Sequence, residues 1–188
     1  MAMEWKPLEI NPELLCKLGV GGGWQFVDIV GLEDEALSWV PSPSCAVMLL
    51  FPLTQQKQTM EKSASHKPEP EVYFLKQTVG NSCGTVGLLH AVANNRHRLQ
   101  FESGSVVKKF LDDTASMSVD DRAKNLESNK EIHIVHDEVA AEGQCQVDPD
   151  KVNFHFTSIV ADAARICRQF TEREKTEVRF SAVALCRT

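Results

Sequence analysis

The sequence predicts an α/β (α+β) three-layer domain, a sheet flanked by helices. Three observations predict it. Strand-like segments stand on both sides of a helical middle section that runs from Cys83 towards Gly143. One segment, Cys45 to Leu53, is apolar without interruption at strand length, the pattern of a strand covered on both faces. The composition is that of an ordinary globular protein: 188 residues, 43% hydrophobic, 24% charged, mean hydropathy −0.22. This length suits one domain, residues 1–188, with a sizeable core and no internal repeat.

Each element has a local reason. Asn11-Pro12-Glu13 before Leu14-Leu15 supplies a cap, a proline at the first helical position and an acid in the first turn. Gly19 ends that helix and Gly21-Gly22-Gly23 makes a loop. Trp24 to Val30 alternates as a strand. Gly31 to Val40 is a short acidic helical turn, closed by Pro41-Ser42-Pro43. After the apolar strand, Gln55 to Glu71 is polar and carries Pro68 and Pro70, the pattern of a mobile surface loop.

Val72 to Leu75 reads as a strand leading into Cys83. From Cys83 to Asn94 the chain is apolar on almost every side, which predicts a buried central helix. Ser105 to Met117 is amphipathic. A second helix starts at Ser118, where Asp121 completes a capping-box pattern, and runs towards Gly143. Gln144 to Asp150 is a loop, Lys151 to Phe156 a strand, Ser158 to Gln169 a helix, and Glu177 to Cys186 a final strand.

The bulk numbers exclude some functions. A net charge of −6 and a pI of about 5.5 argue against nucleic acid or an anionic membrane as the main partner. The longest apolar run, Cys45 to Phe51, is far short of the roughly 20 residues a bilayer requires. Met1 to Pro7 has no signal-peptide pattern, so a cytoplasmic location is expected. In that compartment six cysteines without a C-x-x-C pair are thiols, neither a disulfide framework nor a zinc ribbon. No metal or cofactor is expected.

Cys83 stands apart from the other five. Asn81-Ser82 precede it and Gly84-Thr85-Val86-Gly87 follow as the chain enters the helix. A thiol at a helix N-terminus meets N–H groups and a macrodipole that favour thiolate, so its pKa is expected to be low. Gly84 admits a substrate backbone. Gln77, six positions upstream, can direct an amide donor at a developing oxyanion, with the Cys83 N–H as a second donor. The bland alternative is a buried small cysteine beside a surface glutamine.

The run from Phe74 to Asn94 (FLKQTVGNSCGTVGLLHAVAN) resembles the active-site block of the small ubiquitin C-terminal hydrolases. Pro7 to Glu13, Trp24 to Asp28, Leu50 to Leu53, Glu142 to Cys145, Val152 to Phe156 and Arg179 to Cys186 resemble the same family. The resemblance implies a papain-like α-β-α fold with a central, mainly antiparallel sheet. It also implies a deubiquitinating thiol hydrolase with ubiquitin as partner, Cys83 as nucleophile and Gln77 in the oxyanion hole. A crossover loop over the groove would include Gly143, Gln144, Cys145, Gln146, Val147 and Asp148.

The family also implies a general-base histidine and an orienting aspartate after the N-F-H-F strand, in a D-G-H element and an L-D-G element. After Phe156 this sequence runs Thr157-Ser158-Ile159-Val160-Ala161-Asp162 and contains neither. The expectation is therefore an internally deleted domain that has lost a sheet strand, with activity absent or impaired, or a catalytically silent ubiquitin-binding form. Of the six histidines, His66 falls in the polar loop and His97 in a basic surface run. His90 sits two turns past Cys83, about 10 Å along the helix. His133 and His136, one turn apart near Asp137 and Glu138, read as a solvated helix face rather than a metal site. His155 is the remaining substitute base, although alternation puts it on the strand face away from Phe154 and Phe156.

Overall fold

The computed structural model describes residues 5–10, 13–52, 72–143, 154–159, 163–173 and 180–188. Among these the elements in chain order are α1 (Glu13–Lys17), β1 (Val20–Gly21), β2 (Trp24–Asp28), α2 (Asp34–Leu37) and β3 (Ser44–Pro52). They continue with α3 (Cys83–Asn94), β4 (Gln100–Phe101), α4 (Val106–Thr114), α5 (Val119–Ser128) and α6 (Lys130–Glu142). The last three are β5 (Phe154–Ile159), α7 (Ala163–Arg173) and β6 (Ser181–Arg187).

The expected three layers are present. A four-stranded sheet runs β2-β6-β3-β5 with every pair antiparallel, and β1 and β4 form a separate short ladder. β6, formed by residues near the C-terminal end, lies inside the sheet between β2 and β3. Its five central residues, Ala182 to Cys186, are all buried, as a strand covered on both faces must be.

α3 lies on one face of the sheet against β3 and β5. Its close approach depends on Gly87, where a Cβ would come within 2.9 Å of the Met48 Cε. Leu88, Leu89, Ala91 and Val92 are wholly buried, so the predicted central helix is apolar all round because it is surrounded. On the opposite face Cys167 of α7 packs with Leu49, Phe51 and Ala182 in a second, smaller core. The β3 prediction of cover on both faces is met by these two layers.

Three segments differ from the sequence reading. Ser118 caps α5 as expected, its hydroxyl accepting the Asp121 N–H at 3.2 Å. The helix then breaks at Asn129, whose side chain accepts the Ile132 N–H at 3.0 Å and starts α6 afresh. Ser158 and Ile159 extend β5, opposite Met48 and Val47, instead of opening a helix. Burial of Ile159 against the second core outweighs the local pattern.

Val72 to Leu75 belongs to no strand. It is extended, but its backbone groups pair with side chains. Asn94 takes the Tyr73 N–H and returns a bond to the Tyr73 carbonyl, while Arg122 reaches the Phe74 carbonyl. Side-chain pairing satisfies the same polar groups a ladder would. The predicted polar loop, Gln55 to Glu71, lies outside the described residues.

Candidate active site

A groove of about 960 Å³ runs along α3, between the 72–80 segment and β5. Gln77, Cys83, Val86, His90 and Phe156 are among its lining residues, so Gln77 and Cys83 border one cavity. The turn into the helix is tight. Asn81 has φ +61°, left-handed backbone that asparagine tolerates better than most side chains. The Ser82 hydroxyl donates to the Val79 carbonyl at 2.8 Å, and the Val86 N–H closes the first helical turn on the Ser82 carbonyl at 2.9 Å.

Cys83 therefore opens α3 as expected, but its thiol pKa does not follow the expectation. Burial is the largest influence and pushes it above the ordinary cysteine value. Backbone N–H groups of Phe156, Gly84 and Cys83 itself act the other way and favour thiolate. The sequence reading counted the helix N-terminus and not the desolvation produced by β5 and residues 5–10. Leu8, Phe156 and Ile10 all come within 3.4–3.6 Å of where a Cβ on Gly84 would sit.

Gln77 is exposed, and its Nε2 donates one hydrogen to the Val79 carbonyl at 3.2 Å. An amide has two such hydrogens, so the second remains for a groove ligand.

Of the histidines, His90 and His155 both border the groove that Cys83 lines. His155 has Phe51 as an edge-on ring neighbour with centroids 5.8 Å apart, and Phe51 belongs to the second core. Phe156 faces α3, so its neighbour His155 is turned to the other side of the pleat. His90 lines the groove two turns from Cys83, with Nε2 held 3.2 Å from both the N and the O of Leu75. Its ring stacks on Phe74, and burial lowers its pKa. His97 is exposed beyond the far end of α3.

The solvated-face reading of His136 is wrong. His136 is 1% exposed, with Nδ1 2.8 Å from the Thr85 hydroxyl and Nε2 2.8 Å from the Lys6 carbonyl. A carbonyl only accepts, so Nε2 carries the hydrogen and Nδ1 accepts from Thr85. Burial lowers its pKa, and Trp5 lies edge-on to it at 4.6 Å and to His133 at 5.1 Å. The spacing of α6 reads as an outer stripe because its cover comes from Trp5 and Lys6, and Lys6 is 130 residues away, beyond any local pattern. Both His136 nitrogens are occupied, which removes it as a metal ligand. Among the described residues no three His, Cys, Asp or Glu side chains gather to hold a metal.

Gly143 ends α6 beside Glu9, whose carboxylate would be 3.6 Å from a Cβ there. Gln144, Cys145, Gln146, Val147 and Asp148 of the expected crossover loop lie outside the described residues, as does His66. Sequence reading missed Asn81, Asn94 and the Thr85–His136 pair. The Gly80-Asn81 dipeptide was a usable sign of a left-handed turn.

Comparison with known proteins adds a family to this geometry. Residues 5–168 match the model of ubiquitin carboxyl-terminal hydrolase, family 1. Ubiquitin carboxyl-terminal hydrolase isozyme L1 of Rattus norvegicus and that of Homo sapiens are each 51% identical over 222 residues, covering 98% of this chain and 99% of theirs. Those 222 aligned positions exceed the 188 residues present by 34, so at least that many positions have no counterpart here. The catalytic domain of Trichinella spiralis UCH37, solved bound to ubiquitin vinyl methyl ester, shares the fold. Its TM-score is 0.77 at 19% identity, over 99% of this chain and 97% of that one.

Proposed function

Because the chain belongs to ubiquitin carboxyl-terminal hydrolase family 1, we propose that Cys83 is its nucleophile and Gln77 its oxyanion donor, acting at the C-terminal glycine of ubiquitin. We propose further that this chain is impaired in turnover for want of a base. The family as a whole consists of cysteine-type deubiquitinating hydrolases. In such chemistry the sulfur attacks the glycine carbonyl and the oxyanion is held by N–H donors. The amine then leaves with a proton, and water releases the thioester. A side chain must take the thiol proton and later deliver it to the amine.

One observation carries the impaired reading. After Phe156 the sequence contains neither the D-G-H nor the L-D-G element in which the family carries its base and orienting acid, and burial pushes the Cys83 thiol up. A neutral, desolvated thiol in this position is a weak nucleophile. The 34-position excess in the relatives supports a lost block; its place, after about residue 156, is read from the missing D-G-H and L-D-G elements. Loss of a triad member costs several powers of ten in rate. The surviving groove supports a second reading, a catalytically silent form that still holds ubiquitin.

The test is hydrolysis of a fluorogenic ubiquitin C-terminal amide, with Cys83→Ala as control and a ubiquitin titration alongside. Turnover at the control level with measurable ubiquitin affinity supports the silent form. Residual Cys83-dependent turnover, several powers of ten below isozyme L1, supports an impaired enzyme. Rates equal to isozyme L1 overturn the claim of impairment.

A further inference from the structure

The segment that carries Gln77 is held in register by side chains of α3. Asn94 pairs with Tyr73 in both directions: its Oδ1 accepts the Tyr73 N–H at 2.9 Å and its Nδ2 donates to the Tyr73 carbonyl at 3.0 Å. One turn earlier on the helix, His90 Nε2 lies 3.2 Å from both the N and the O of Leu75. That nitrogen serves one of the two at a time, accepting or donating according to tautomer. Between them, Arg122 Nη1 donates to the Phe74 carbonyl at 2.9 Å, and its guanidinium lies 4.2 Å from the Tyr73 ring centroid.

Two lengths match here. Four residues advance a helix by about 6 Å. Two residues advance an extended chain by about 6.6 Å. Asn94 and His90, four apart, meet Tyr73 and Leu75, two apart. Continued one step, the same register would bring Val86, one turn from Cys83, opposite Gln77; all three line the groove.

Resting on the reading of Gln77 as oxyanion donor, we propose that Asn94 and His90 are positioning residues that fix where Gln77 meets the Cys83 end of the groove. Neither touches the reacting atoms. Their effect is to make the helix that carries the nucleophile also measure out the chain that carries the oxyanion donor. Nucleophile and donor then move as one body.

The test compares two reagents on the whole chain. Ubiquitin vinyl methyl ester needs both Cys83 and a correctly placed oxyanion donor; iodoacetamide needs Cys83 alone. Capture by the ubiquitin reagent should slow about 100-fold in Gln77→Ala, the low end of what one lost oxyanion donor costs. It should slow at least tenfold in Asn94→Ala, with the iodoacetamide rate unchanged. The double variant should be no slower than Gln77→Ala alone, because a misplaced donor and an absent one are equivalent. Asn94→Asp, which keeps the acceptor for the Tyr73 N–H, should recover part of the loss. Should Asn94→Ala fail to fold, His90→Asn takes its place with the same expectations.

Additive losses in the double variant, equal slowing with both reagents, or wild-type capture by Asn94→Ala would each overturn the inference alone. A wild-type chain that is not captured, or a Gln77→Ala variant captured normally, would overturn the underlying site reading and the inference with it.

Discussion

The two faces of the sheet are built to different standards. Against one face, α3 and the helices around it share a continuous core that includes Trp5, Leu14, Leu15, Leu88, Leu89, Phe110 and Ile132. That layer also holds the half-buried His90 and the buried His136, both hydrogen-bonded. Against the other, the buried cluster among the described residues is Leu49, Phe51, Cys167 and Ala182, beside an apolar pocket of about 340 Å³. Cys83 stands on the heavily packed side. The candidate site is thus fixed by the thick layer, while the thin layer closes the sheet without shaping the groove.

The largest expected effect tests that asymmetry directly. Leu89→Ala, wholly buried in α3, should cost about 3–4 kcal/mol in urea unfolding. Leu49→Ala, the same change on the thin face, should cost about 2 kcal/mol, the low end for a buried leucine. Equal losses would mean that the two layers contribute alike.

Next comes the buried polar pair. Thr85→Val leaves His136 Nδ1 without its donor and should cost about 2 kcal/mol. The same imidazole sets an acid limit. His136 and His90 have folded pKa values lowered below the 6.5 of an ordinary histidine, chiefly by burial. Below that value the unfolded chain takes up protons that the folded chain refuses. This contribution is therefore complete above 6.5 and is lost as pH falls towards the folded values. The urea midpoint should drop as the solution is taken from neutral pH to about one unit below the ordinary histidine value. A flat profile would show that neither ring is held neutral.

The thiols probe the thick layer without unfolding anything. Burial pushes Cys45 to about 11 and raises Cys83 as well. Alkylation of Cys83 should climb with pH to beyond the ordinary cysteine value of 9.0, while Cys45 stays unmodified in the folded protein. A Cys83 rate that levels off near neutral pH would mean a base in reach of the sulfur and would count against the impaired reading. The smallest effect belongs at the surface. Lys109→Ala breaks an exposed pair with Glu131 and should leave the urea midpoint unchanged.

What was legible in the sequence was what local residues decide. The burial of α3 followed from an apolar run too broad for a one-sided helix, and the two-sided cover of β3 followed from the run at Cys45 to Leu53. That Gln77 and Cys83 border one cavity follows from their place in one short stretch. What failed had a distant cause. Tyr73 looked like strand because its β propensity is real, yet its partner is the side chain of Asn94, 21 residues on. His136 looked solvated until Trp5 and Lys6 came to cover it. The Cys83 thiol was misjudged in direction because desolvation is a property of packing and the helix terminus a property of sequence.

The place of β6 bears on how the chain is made. Synthesis delivers β2 and β3 first, yet they are not neighbours; Ser181 to Arg187 must slot between them. Until those residues leave the ribosome, both strands wait with exposed edges that would otherwise recruit other chains. The sheet closes by insertion, long after its flanking strands are made. A nascent chain stalled before Ser181 would thus be left with an open sheet, a form for chaperones to shield.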